Sequence, residues 1–160
     1  MILNADQILQ YLDTKGQGSK AQVGYDLTLK EVKSIEGGMV LADKTVVGEY
    51  VTIIPYLSET GKTLFKLNPG TYSLTFDQGC KLTTNTTAFI RHRSSILRCG
   101  AIITSGVYDP DFEVNEMGAV MIATKDIIIE KGARCAQIVI FENYTAEPYR
   151  GQYYKDGDIK

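Results

Sequence analysis

With 160 residues, 44% of them apolar, the chain is long enough to bury a core as one domain, and its formal charge of −2 offers no overall basic face for general nucleic-acid binding. No stretch approaches the roughly 20 apolar residues of a membrane span, and the opening MILNADQILQ lacks the basic start and apolar run of a signal peptide. The expectation is a single cytoplasmic domain over 1–160 that engages neither membrane nor nucleic acid.

Asn4 is placed to cap a short helix, with Gln7 at the reciprocal position of a capping box and Ile8, Leu9 and Leu12 as its apolar stripe. Gly16 or Gly18 ends it, so the helical opening occupies about 1–18. From Val23 onward the pattern is strand. Tyr25, Leu27 and Leu29 alternate with Asp26 and Thr28, which puts the two polar residues on the opposite face. Asp26 is then either a solvated acid or an acid aimed into a site. Glu36-Gly37-Gly38 reads as a turn, and Val46 to Leu57, β-branched and aromatic, as a strand pair or one long strand. Ser58 to Thr63 contains Gly-Lys-Thr, but Tyr56 stands where a phosphate-binding loop needs its earlier glycine, so a surface turn is expected. Asn68-Pro69-Gly70 reads as a hairpin turn between Thr63–Leu67 and Thr71–Phe76.

The stretch Arg91 to Phe112, RHRSSILRCGAIITSGVYDPDF, concentrates the chemistry. Arg91, His92, Arg93, Ser94, Ser95 and Arg98 form the one dense cluster of cations and hydroxyls. Asp109-Pro110-Asp111-Phe112 closes the stretch with two acids, a turn-former and an aromatic that reads as exposed. Anion-binding groups at one end and a carboxylate plus a ring at the other suit a phosphorylated, ring-bearing ligand. Beyond it, Gly118–Thr124 and Asp126–Glu130 read as short strands, and Glu113–Met117 as an insertion before them. Ala133–Phe141 is a further strand in which Gln137 is the lone polar side chain of an apolar segment. A buried amide needs partners, so Gln137 bonds backbone or faces a ligand. The segment 144–160 has no core periodicity and is a frayed end or an arm that orders on binding. Cys80, Cys99 and Cys135, odd in number and without a C-x-x-C, read as reduced, buried thiols. The single histidine, His92, excludes a His-rich metal site, and the zinc-deaminase signature is absent. Many short strands, one helix and no βαβ rhythm predict an all-β fold, a barrel or jelly-roll.

Four segments in order resemble motifs of the trimeric dUTP diphosphatase and dCTP deaminase superfamily. They are Gly24-Tyr25-Asp26-Leu27, Arg93-Ser94-Ser95, Gly106-Val107-Tyr108-Asp109-Pro110-Asp111-Phe112, and Gly132-Ala133-Arg134-Cys135-Ala136-Gln137. Tyr149-Arg150-Gly151-Gln152-Tyr153 resembles the C-terminal arm, and MILNADQIL is similar to the start of the deaminases and of archaeal-type dUTP diphosphatases. The resemblance implies a distorted jelly-roll that forms a homotrimer, with dUTP and Mg²⁺ held between subunits. On that reading Asp109 activates the water that attacks the α-phosphorus. Arg93, Ser94 and Ser95 contact phosphates, Gln137 bonds a phosphate oxygen or helps shape the site, and Arg150 and Tyr153 of the arm bind the substrate, with Tyr153 or Tyr154 stacking on the base. Asp26 holds a metal-bound water, Phe112 packs on the deoxyribose, and backbone groups at Ser105, Gly106 and Val107 read the base edge. The chemistry agrees: cleaving a triphosphate needs charge neutralisation and an in-line water rather than covalent catalysis. The superfamily's zinc-independent deaminases carry a glutamate on the strand after the Asp-Pro motif. Here that position falls on Ala123 or a neighbour, no acid lies on the strand, and only Glu116 stands nearby. The expected activity is therefore hydrolysis of dUTP to dUMP and pyrophosphate, with deamination of dCTP, or a silent nucleotide-binding trimer, as alternatives.

Overall fold

A computed structural model of the chain describes residues 1–143. The arm at 144–160, with Arg150 and Tyr153, lies outside the described residues. In chain order the elements are α1 (Ala5–Ile8), β1 (Leu12–Asp13), β2 (Ser19–Lys20), β3 (Tyr25–Glu36), β4 (Met39–Val40), β5 (Thr45–Val46), β6 (Glu49–Thr52), β7 (Tyr56–Leu57), β8 (Thr63–Leu67) and β9 (Gly70–Phe76). They continue as β10 (Gly79–Lys81), β11 (Thr86–His92), α2 (Ser94–Arg98), β12 (Ala101–Thr104), β13 (Glu113–Val114), β14 (Gly118–Ala123), β15 (Ile127–Glu130) and β16 (Arg134–Glu142).

Strands β16, β11, β12, β14, β9 and β3 pair antiparallel in that order, and β3 pairs back onto β16, which closes a barrel. Closure removes the sheet edges that would otherwise be open to another chain. The all-β expectation is met in its barrel form. Alternation places Tyr72, Leu74 and Phe76 of β9, Ala88 and Ile90 of β11, and Ala119, Met121 and Ala123 of β14 inward. Leu27, Leu29, Ile103 and Ile138 join them with no exposed surface. Each large side chain buried in this way stabilises the fold by about 1.5–3 kcal/mol.

Three elements differ from expectation. The Asn4 capping box forms as read, with Asn4 Oδ1 accepting from the Asp6 and Gln7 backbone N–H groups and Gln7 Oε1 accepting from Asn4 N–H. The α-helix nevertheless ends at Ile8, a 3₁₀ turn follows over Leu9–Tyr11, and Leu12 is extended because it pairs with Cys80. Sheet pairing stops the helix before either glycine. Residues 45–57 form three separate short strands whose side chains are mostly exposed, not one long strand or a pair. Residues 113–117 are no loose insertion. Strand β13 pairs with Cys80 and Lys81, and Met117 is fully buried, exchanging backbone bonds with Phe76 and Gln78. The cysteine reading holds for Cys80 and Cys135, which are buried, whereas Cys99 at the end of α2 is exposed.

A second helix, α2, was not legible in the pattern. It starts where β11 ends: Arg93 is extended at its N-cap and its backbone N–H reaches the Cys135 carbonyl, tying the helix start to β16. Ile96 buries the inner side of this single turn.

Candidate active site

Register puts Arg91 opposite Gln137 and Gln137 opposite Asp26, so three strands present one transverse row on the same face of the sheet. Arg93 lies two residues beyond Arg91 on that side. Gln137 and Asp26 of this row, though not Arg91, border a pocket of about 420 Å³ walled by Lys20, Ala21, Gln22, Asp26, His92, Arg93, Ser94, Arg134 and Gln137. Gly24, at φ +110, lets β3 approach β16, because a Cβ there would collide with the Ile138 carbonyl and crowd the Gln137 side chain. The motif glycine thus sets the pocket's width.

Asp26 is buried, and its Oδ2 lies 3.0 Å from Arg93 Nε and 3.7 Å from Arg134 Nη1. A buried carboxylate is tolerated only with such partners. Arg93 donates through Nη1 to the Arg134 carbonyl at 3.1 Å, so this bond and the ion pair together fasten the guanidinium in the pocket. The Gln137 amide is half-buried and makes no hydrogen bond to another described residue. Ser94 lines the pocket, while Ser95, one residue on in α2, is exposed and outside the wall. Asp26 and Thr28, which share the polar face of β3, are both buried, so Asp26 is no solvated acid. Thr28 anchors a polar network in which Gln78 Oε1 accepts its backbone N–H at 3.0 Å and Gln78 Nε2 donates to its hydroxyl at 2.7 Å. That hydroxyl in turn donates to Asp77 Oδ2 at 2.7 Å.

A second pocket, about 450 Å³, is lined by Ser73, Ser105, Gly106, Tyr108, Phe112, Val114, Glu116, Gly118, Ala119 and Val120. It shares no wall residue with the first. Ser105 accepts the Ile90 N–H and donates to the Gly106 carbonyl, so its hydroxyl shapes the hairpin. Gly106 and Val107 are exposed, and their N–H groups bond to no other described residue. Phe112, read as exposed, is 9% exposed because its ring rests 4.7 Å from that of Tyr108. The Tyr108 hydroxyl is itself held, donating to the Gly118 carbonyl at 2.7 Å, and burial pushes its pKa far above the usual tyrosine range.

Asp109 follows Tyr108 in a turn closed by Phe112 N–H to the Asp109 carbonyl, with Pro110 next and Asp111 at φ +62. This is the pattern of a type II turn, with an aspartate where glycine is favoured; Thr84 donates to the Asp111 carboxylate and steadies it. Asp109 is half-buried, and its carboxylate is paired with no described residue. The two pockets are carried by opposite ends of β11: Tyr108 bridges Ala88, five residues before Arg93, or roughly 16 Å at about 3.3 Å per residue.

Reading motifs missed Lys20, Arg134 and Tyr108 as wall residues, whereas Glu116, noted as the acid near the strand, does line the second pocket. Arg134 and Tyr108 lie inside quoted motifs, so their signal was present; Lys20 had none beyond charge. Glu116 is ion-paired with Lys30, and that carboxylate holds the Lys30 ammonium above its ordinary range. Among the described residues no group of three or more His, Cys, Asp or Glu side chains is placed to hold a metal ion, and no helix is long and apolar enough to cross a membrane.

Comparison with known proteins extends the geometry. A deoxyuridine 5′-triphosphate nucleotidohydrolase of Methanocaldococcus jannaschii is 32% identical over 145 residues, covering 89% of this chain and 90% of that protein. A probable enzyme of the same name from Aeropyrum pernix is 29% identical over 147 residues, covering 88% and 87%. Among solved structures, a 2′-deoxycytidine 5′-triphosphate deaminase from Agrobacterium tumefaciens superposes with a TM-score of 0.61 at 14% identity, over 87% of this chain and 47% of that one, a likeness of fold. The dCTP deaminase-like family profile matches residues 2–143, and it is to this family that the chain belongs.

Proposed function

We propose that the chain hydrolyses dUTP to dUMP and pyrophosphate, a step of nucleotide metabolism. The observation that carries this is the half-buried carboxylate of Asp109, paired with no described residue, on a fixed turn beside the hairpin pocket. Two thirds or more of the chain matching relatives with that name supports the choice of substrate. Asp109 takes a proton from water as its oxygen attacks the α-phosphorus, and the bond to the pyrophosphate oxygen breaks. Arg93, Ser94 and Gln137 hold phosphate oxygens, joined by Ser95 at the turn of α2. The free N–H groups of Gly106 and Val107 read the base edge, and the Tyr108–Phe112 ring pair floors the sugar.

Magnesium fits this donor set. Mg²⁺ binds through one or two carboxylates plus substrate phosphates and keeps several waters. Arg93 and Arg134 both face Asp26 Oδ2, which leaves Oδ1 to accept from a metal-bound water. When bound, the ion neutralises charge on the triphosphate.

The site is shared between copies in a homotrimer. Within one chain the cationic pocket and the Asp109 turn occupy opposite ends of β11 and have no wall residue in common. A second copy supplies the missing half. Incubation with each deoxynucleoside triphosphate and Mg²⁺ tests the reading: pyrophosphate from dUTP supports it, and pyrophosphate from none sinks it. Glu116 on the hairpin pocket's wall favours a second reading, deamination of dCTP, since proton transfer to the exocyclic nitrogen needs such an acid. Ammonia from dCTP that disappears in Glu116→Gln would establish it.

A further inference from the structure

The cationic pocket has one wall that no motif covers. Lys20, at the end of β2, lines it with Arg93, Arg134 and Asp26. Strand β2 is fixed there by pairing Ser19 with Asp26 and Lys20 with Tyr25. Gly18, just before it, sits at φ +83 so close to the Asp26 carbonyl and the Tyr25 ring that any Cβ would clash. Lys20 therefore stands at the opposite end of the Arg91–Gln137–Asp26 row from α2, held by backbone rather than by its own side chain.

Its ammonium rests on Asp6 Oδ1 at 2.5 Å, and the two side chains are 53% and 81% exposed. An exposed pair of this kind is weak and easily exchanged for another anion. Lys20, Arg93 and Arg134 against Asp26 leave the pocket wall with a charge of about +2, which matches the charge of about −2 on a magnesium-bound triphosphate. Without Lys20 the match is short by one.

We infer that Lys20 is a substrate-binding residue: it leaves Asp6 and donates to a phosphate of the polyphosphate tail, so that the pocket favours longer tails over shorter ones. This rests on the phosphate reading of the pocket. Calorimetric titration of wild type, Lys20→Met and Asp6→Asn with inorganic tripolyphosphate and with inorganic phosphate tests it apart from turnover. Lys20→Met is expected to weaken tripolyphosphate roughly tenfold and phosphate much less, with KM for dUTP rising by the same factor as for tripolyphosphate. Asp6→Asn, which frees the ammonium, binds tripolyphosphate as tightly as wild type or more so. The inference is overturned if Lys20→Met stays within about twofold of wild type, or if Asp6→Asn weakens binding as much as Lys20→Met does, since the pair would then serve only to fasten α1. Wild type that takes up no tripolyphosphate overturns it too. Failure to release pyrophosphate alongside Lys20-dependent tripolyphosphate uptake would sink the hydrolase reading alone.

Discussion

Asp109 and Arg93 carry different parts of the proposed reaction, and their substitutions separate them. Asp109→Asn keeps the turn, which is closed by backbone, and removes the proton acceptor. We expect kcat to fall by about 10²–10⁴-fold with KM nearly held, the range for loss of a general base. A near-normal kcat would reassign the base. Arg93→Lys keeps the charge but cannot serve Asp26 Oδ2 and the Arg134 carbonyl from one planar fork. Its KM for dUTP should rise about tenfold, read by steady-state kinetics, with a smaller effect on kcat. Cys135 offers a pH test. Burial pushes its thiol up to about 12, whereas an unfolded thiol ionises near about 8.5. Above that pH the unfolded chain binds fewer protons than the folded one, so stability falls as pH rises from about 8.5 towards 12. One such group gives a slope of about 1.4 kcal/mol per pH unit. Urea midpoints at rising pH should show it, and Cys135→Ala should flatten it.

At the scale of elements, the segment between β9 and β10 matters more to the site than its length suggests. Gln78 is fully buried and gives both ends of its amide to Thr28, two residues from Asp26 on β3. Gln78→Leu leaves the Thr28 backbone N–H unpaired in the interior, so a loss of about 1–3 kcal/mol is expected from urea unfolding. Because the same strand holds Asp26, phosphate binding should weaken with it. A variant as stable as wild type would show that water replaces the amide. Strand β13 plays a comparable part for the other pocket: its pairing with β10 and the buried Met117 hold Glu116 against the wall instead of leaving it on a loop.

At the scale of the whole molecule, the two pockets share no wall residue within one chain. If they join across a trimer interface, two inactive variants can complement. Asp109→Asn mixed equally with Arg93→Ala, unfolded and refolded together, should recover about a quarter of wild-type turnover, the share of sites in which both halves are intact under random assembly. Recovery at the level of either variant alone would place both halves in one chain. Centrifugation of the unmixed protein at rising concentration gives the mass independently.

How much could be read without the fold depends on whether the signal is local. Alternation in β9 and β14, the Asn4 capping box and the Asp-Pro turn depend on neighbouring residues, and they were legible for that reason. The end of α1 and the state of Phe112 were not, because a strand from sixty-eight residues away extends Leu12 and a second ring covers Phe112. Order and spacing of the motifs determined the family and an all-β fold with a cation cluster and an acid. Only the tertiary structure decided that one oxygen of Asp26 faces two arginines, that Lys20 and Glu116 complete the walls, and that the pockets lie at opposite ends of one strand. Those facts are set by strand register and barrel closure, which couple residues far apart in the chain and leave no periodic trace in it.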